Sequence, residues 1–90
     1  MLAKLAPHKQ ALLDAADYIR KHGWCQGESF GEGETVCAAG AIWSVNIDQW
    51  EDAMWALADH IGTPNVGDWN DKPDRTKEEV IAALEQAALT

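Results

Sequence analysis

Ninety residues are enough for one domain with one small core, and a chain of this length buries only about two-thirds of the surface its unfolded form exposes. Apolar residues make up 47% of the chain and are spread along it, which excludes a disordered tail. Fifteen carboxylates against seven Lys and Arg give a formal net charge of -8, which repels nucleic-acid phosphates and anionic lipid alike, so direct nucleic-acid binding and membrane association are both disfavoured.

The first predicted element runs from Pro7 to His22, where Ala11, Leu12, Ala15, Ala16 and Ile19 recur at three- and four-residue steps. Its ends agree with that reading. Pro7 suits a first helical turn, Arg20, Lys21 and His22 complement the negative end of the dipole, and Gly23 can take a left-handed stop. Asp17 and Lys21 form a predicted four-residue ion pair. Residues 24–36, with three glycines and three glutamates, read as an ordered loop or a small hairpin.

From Val36 to Val45 only Ser44 is clearly polar, and a helix apolar all round must be surrounded by others, so this segment is predicted to be the buried centre. Ala38, Ala39, Gly40 and Ala41 leave little bulk there, so neighbouring backbones can come close. A third helix starts at a predicted Asp48–Glu51 capping box and carries an apolar stripe of Trp50, Ala53, Met54, Leu57 and Ile61, closed by Gly62 and Pro64. Residues 63–76 hold turn-forming Asn, Asp and Pro, apolar anchors at Val66 and Trp69, and room for one short helical turn. Thr76 and Glu79 make a second capping box, and Val80, Ile81, Leu84, Ala87 and Ala88 give the last helix its buried side. The expected fold is mainly α: a compact bundle of four helices around a short buried central helix, forming a single domain over residues 1–90.

The chemistry-bearing residues are sparse. Cys25, Cys37, His22 and His60 are the right types for zinc, but the spacing lacks a Cys-x-x-Cys pair, and buried structural cysteines are the favoured reading. Cys37 lies where a helix N-terminus lowers a thiol pKa, yet His8, His22 and His60 sit at surface-like positions with no motif around them. Glu28, Glu32 and Glu34 lack the ligand order of a calcium loop, and Asp68, Asn70, Asp71 and Asp74 read as turn and cap residues. No cofactor or metal is expected.

Five tryptophans are many for this length. Trp24, Trp43, Trp50 and Trp69 fall where the pattern predicts burial. Trp55 falls about 140 degrees around its helix from Trp50, among Glu51, Asp52 and Asp59, where it is either covered by a neighbouring element or exposed as a binding hot spot.

Together, GWCQG at 23–27, VCAAGAI at 36–42 and WNDKPDRTKEEVIAALEQA at 69–87 resemble a family of small proteins of actinobacteria, other bacteria and their phages with no established activity. The resemblance implies that the loop and the buried helix act as one unit and that a phage-type origin fits the chain. Many relatives carry Gly where this chain has Asp74. The residues quoted have a structural explanation: Trp69 anchors the loop, Asn70 and Asp71 bond backbone groups, Pro73 stiffens the approach, and Arg75 pairs with Asp71 or another carboxylate.

The leading expectation is a non-enzymatic interaction module, of the kind a phage uses as an accessory or host-modulating protein, binding an unidentified partner protein through Trp55, Asp52 and Asp59. Trp24, Gln26, Cys37, Trp69, Asn70, Asp71 and Arg75 are the other candidate binding residues. One alternative is a small-ligand domain or cysteine enzyme with a pocket near Cys37, Gln26 and Trp24; another is an acidic DNA mimic. A homo-oligomer is compatible with the sequence. The N-terminus lacks a signal-peptide core, which places the chain in the cytoplasm, or the host cytoplasm if phage-encoded.

Overall fold

The computed structural model describes residues 5–90; the reading of the N-terminus as leaderless falls partly on residues outside this range. Five α-helices follow one another: α1 (Pro7–His22), α2 (Ala38–Val45), α3 (Trp50–Ile61), α4 (Val66–Asn70) and α5 (Lys77–Leu89), with a 3-10 turn at Ile47–Gln49 leading into α3. Among the described residues no helix is long and apolar enough to cross a membrane.

The amphipathic periods land as read. α1 buries Ala11, Leu12, Ala15, Ala16 and Ile19, with Pro7 in its first turn, three basic residues in its last and Gly23 at its end, where φ is 95°. α5 begins with the complete Thr76–Glu79 capping box, each side chain bonded to the other's backbone. α1 packs most extensively on α5, then on α2 and α3, so it forms the spine of the bundle. The last turn of α5 has no basic residue of its own, and α1 makes up for it: Lys9 Nζ donates to the carbonyls of Ala87 (2.9 Å) and Thr90 (3.3 Å).

The central helix is where the apolar run placed it. Ala38, Gly40, Ala41 and Ile42 are buried. Ten of the twenty buried apolar residues are alanines, so the helices approach closely but remove little apolar area per residue. Such a core leaves a larger share of the stability to polar ties than a leucine-rich one would.

Three local expectations need correction. Asp17 pairs with Arg20 (2.8 Å) instead of Lys21, and Arg20 also reaches Glu85 on α5 (2.7 Å). The Asp48–Glu51 box does not form, because the chain enters α3 through the 3-10 turn, and Asn46, two residues earlier, takes the capping role by accepting from Gln49 N. Trp43 is exposed. It shares with Ala39, four residues before it, the side of α2 that the bundle leaves open, whereas Ile42 is fully buried and Val45 packs on the core.

Candidate functional site

Most of the sequence-nominated residues come together in one polar latch joining the 24–36 loop to α4. Its centre is Asn70, a fully buried side chain and the buried polar residue among the described ones. Asn70 Oδ1 accepts from Trp24 Nε1 (2.7 Å) and from the backbone N–H of Ala38 (3.0 Å) at the start of α2; its Nδ2 donates to the carbonyl of Cys25 (3.1 Å) and to Asp71 Oδ1 (3.0 Å). Gln26 Nε2 donates to the carbonyls of Asn70 (3.0 Å) and Lys72 (2.9 Å), and Gly27 N donates to Asp71 Oδ1 (2.9 Å). Arg75 lies over the half-buried Trp69 ring, 4.1 Å from its centroid, while its Nε donates to the Trp69 carbonyl (3.0 Å) and its guanidinium meets Glu79 (3.1 Å). Glu79, not Asp71, is therefore its carboxylate partner.

Trp24, Gln26, Asn70, Asp71 and Arg75 each bond to another part of the chain. The arrangement fixes a loop against a helix pair, and it places no nucleophile beside a base. Among the described residues no three His, Cys, Asp or Glu side chains gather closely enough to hold a metal. His22 meets Glu34 (2.9 Å) and His60 meets Gln86 (3.2 Å), both on the surface.

The Gly27 N–H, helped by Asn70, holds the Asp71 carboxyl below its ordinary pKa. A carboxylate whose folded pKa is depressed contributes stability that is present above its unfolded value, about 3.9, and is lost as the pH falls through the folded value. Asp71→Asn keeps the acceptor oxygen and removes the charge. The wild-type protein is therefore expected to exceed this variant in stability at pH 7, with the gap narrowing as the pH falls below about 3.9, as measured by urea unfolding across that range. A gap independent of pH would show that the Asp71 charge has no part in the latch.

Cys37 is buried and caps α2, its sulfur accepting from Gly40 N at 3.3 Å. Cys25 donates to the Glu28 carbonyl (3.4 Å), and desolvation raises its pKa, which disfavours a thiolate. Cys37→Ser supplies a better capping oxygen, so its unfolding midpoint should stay close to wild type, whereas Cys37→Ala should lose about 1 kcal/mol of stability. Loss of the protein's biological activity in a folded Cys37→Ser variant would favour a chemical role for the thiol.

The other nominated residues lie on a separate face. Trp55 is 59% exposed on α3, so of the two readings of its position the uncovered one holds. A groove of about 310 Å³ runs along one side of its ring, lined by Trp50, Glu51, Met54, Ala58, Pro64 and Val66. A second hollow on the other side is bordered by Asp52 and Asp59. Trp50 also lines a smaller depression against Phe30 and Trp43, and meets Trp43 edge-on at 5.7 Å between ring centroids. Trp50 thus joins the Trp55 groove to a second exposed aromatic patch, where Phe30 is 54% and Trp43 is 46% exposed. The depression between α2 and the loop opens on these two rings, and Cys37, Gln26 and Trp24 do not line it. Sequence reasoning missed Phe30, Trp43 and Ile47 as surface residues. No local pattern signals this, because an apolar run does not show which face of a helix or loop its neighbours leave open.

Over residues 4–90 the chain matches the family model of a family of unknown function (DUF6197), and it belongs to that family. No curated protein and no solved structure matches it.

Proposed function

We propose that this chain is a non-enzymatic protein-interaction module that docks a partner protein through the face centred on Trp55. The observation that carries the proposal is a large aromatic side chain held exposed on a rigid helix, with apolar grooves beside it and a contiguous second aromatic patch reached through Trp50. An exposed Trp between packed grooves has the composition and geometry of an interface hot spot. The polar latch supports the same reading from the other direction, since its residues are occupied in holding the fold. The proposal places the protein in the cytoplasm, where Cys25 and Cys37 stay reduced, and a phage-type accessory role fits it.

The test is affinity capture from the cells that naturally contain the protein, using wild type, Trp55→Ala and Trp43→Ala, with each captured partner then purified and rebound. Trp55→Ala removes an exposed ring, so its stability should stay within about 0.5 kcal/mol of wild type, while affinity for the partner should fall by roughly 30-fold or more. A Trp55→Ala protein that retains every partner at wild-type affinity would contradict the proposal.

A further inference from the structure

We infer that the partner segment received by the Trp55 groove is cationic, with Lys or Arg flanking a large apolar anchor; this rests on the docking reading above. The groove is mostly apolar, lined along the Trp55 ring by Trp50, Met54, Ala58, Pro64 and Val66, with Glu51 as its one charged lining residue. Its rim supplies the charge. Glu51, Asp52 and Asp59 stand four and three residues before Trp55 and four after it, the spacings that place side chains beside one another on a helix. None of the three is in an ion pair among the described residues. Lys9, which borders the same hollow as Asp52 and Asp59, donates to the carbonyls of Ala87 and Thr90 at the end of α5. His8 and His60 border the far hollow, and His60 is bonded to Gln86.

Three carboxylates that form no ion pair among the described residues, around an exposed indole, disfavour several occupants. A second copy docking through the same face would set these carboxylates against each other, on a chain whose formal charge is already -8. Nucleic acid and anionic lipid meet the same repulsion. A cationic segment meets attraction at each step: the field of the whole protein steers it in, the rim pairs with its Lys or Arg, and the face of Trp55 can take a guanidinium as Trp69 already takes Arg75. The rim carboxylates are exposed, so their effect should be strongly salt-dependent.

Three synthetic probes test this: a helix-forming peptide with Leu and Trp anchors flanked by Lys and Arg, a twin with Glu at every charged position, and oligolysine. Each is titrated against the full chain while the indole N–H signals are followed by NMR. The cationic peptide should shift the Trp55 and Trp50 signals, and its affinity should fall about tenfold in Trp55→Ala, about tenfold in the triple variant Glu51→Gln, Asp52→Asn, Asp59→Asn, and steeply between low and physiological salt. The Glu twin should bind at least tenfold more weakly, and oligolysine should bind without dependence on Trp55. Equal binding of the two peptides, each lost in Trp55→Ala, would overturn the cationic inference while leaving the docking reading standing. Peptide binding that ignores Trp55 would also overturn it, and rebinding of captured partners to Trp55→Ala then decides the docking reading separately.

Discussion

Asn70→Ala is expected to be the most damaging single substitution in the latch, lowering stability by about 3–5 kcal/mol. The side chain is fully buried and makes four hydrogen bonds that link segments up to 46 residues apart. Truncation leaves the Trp24 indole N–H and the Ala38 N–H without their acceptor and the Cys25 carbonyl without its donor. Each buried group so orphaned costs about 1–3 kcal/mol, more than the hydrogen bond itself contributes net. A domain of this size has a total stability on the order of 5–13 kcal/mol, so the loss is a large fraction of it. A fall in Tm on the order of 15–25 °C should follow. Asn70→Asp should do little better: it keeps the acceptor but sets a second carboxylate against Asp71 and the Cys25 carbonyl. A midpoint within a few degrees of wild type for Asn70→Ala would show that the latch does not hold the loop.

Gly40→Ala is expected to be the second largest, and its sign separates packing from propensity. Gly40 lies inside α2, where replacing Gly by Ala should gain about 1 kcal/mol of helix propensity. A Cβ at this position would overlap the Ser29 carbonyl, the same oxygen that accepts from Cys37 N. The obstacle is backbone, which cannot rotate aside, so the loop must move and the Ser29–Cys37 bond must stretch. Overpacking of this kind costs typically 1–3 kcal/mol and occasionally more, so the net effect should be a loss of about 1–3 kcal/mol. Gly67→Ala in α4 is the matched control, since a Cβ there meets only Asn65 Oδ1 at an ordinary 3.6 Å, and it should be neutral or mildly stabilising. Chemical unfolding of the two variants side by side tests this. A stabilised Gly40→Ala would mean that the loop does not sit against α2.

How much of this could be read from the chain alone depended on the range of the interaction involved. The helices of the bundle follow from apolar periods of three and four residues, and the Thr76–Glu79 cap from two residues three apart; both are local. The need for small residues near Gly40 was visible, but not the Ser29 carbonyl that requires it, because that contact belongs to the folded loop. Asn70 was read as a turn residue bonding backbone groups. That was right in kind, but its burial arises from partners 32 to 46 residues away, which no local pattern encodes. The exposure of Trp43 is not legible in the sequence, because an apolar run shows that a helix is largely covered without showing which face stays open. The helix period alone leaves the exposure of Trp55 undecided, since a neighbouring loop could cover it; Pro64 and Val66 instead line the groove beside the ring.

Under the proposed function, labour is divided between these two groups of residues. The stretches around Trp24, Cys37 and Asn70 close the fold, while the face of Trp50 and Trp55 is the one proposed to meet the partner. Hydrogen–deuterium exchange on a purified complex with a rebound partner tests that division most directly. New protection confined to residues 47–66, with residues 24–27 and 69–76 exchanging as in the free protein, is the predicted result. Protection that appears instead over the latch, with α3 unchanged, would contradict it.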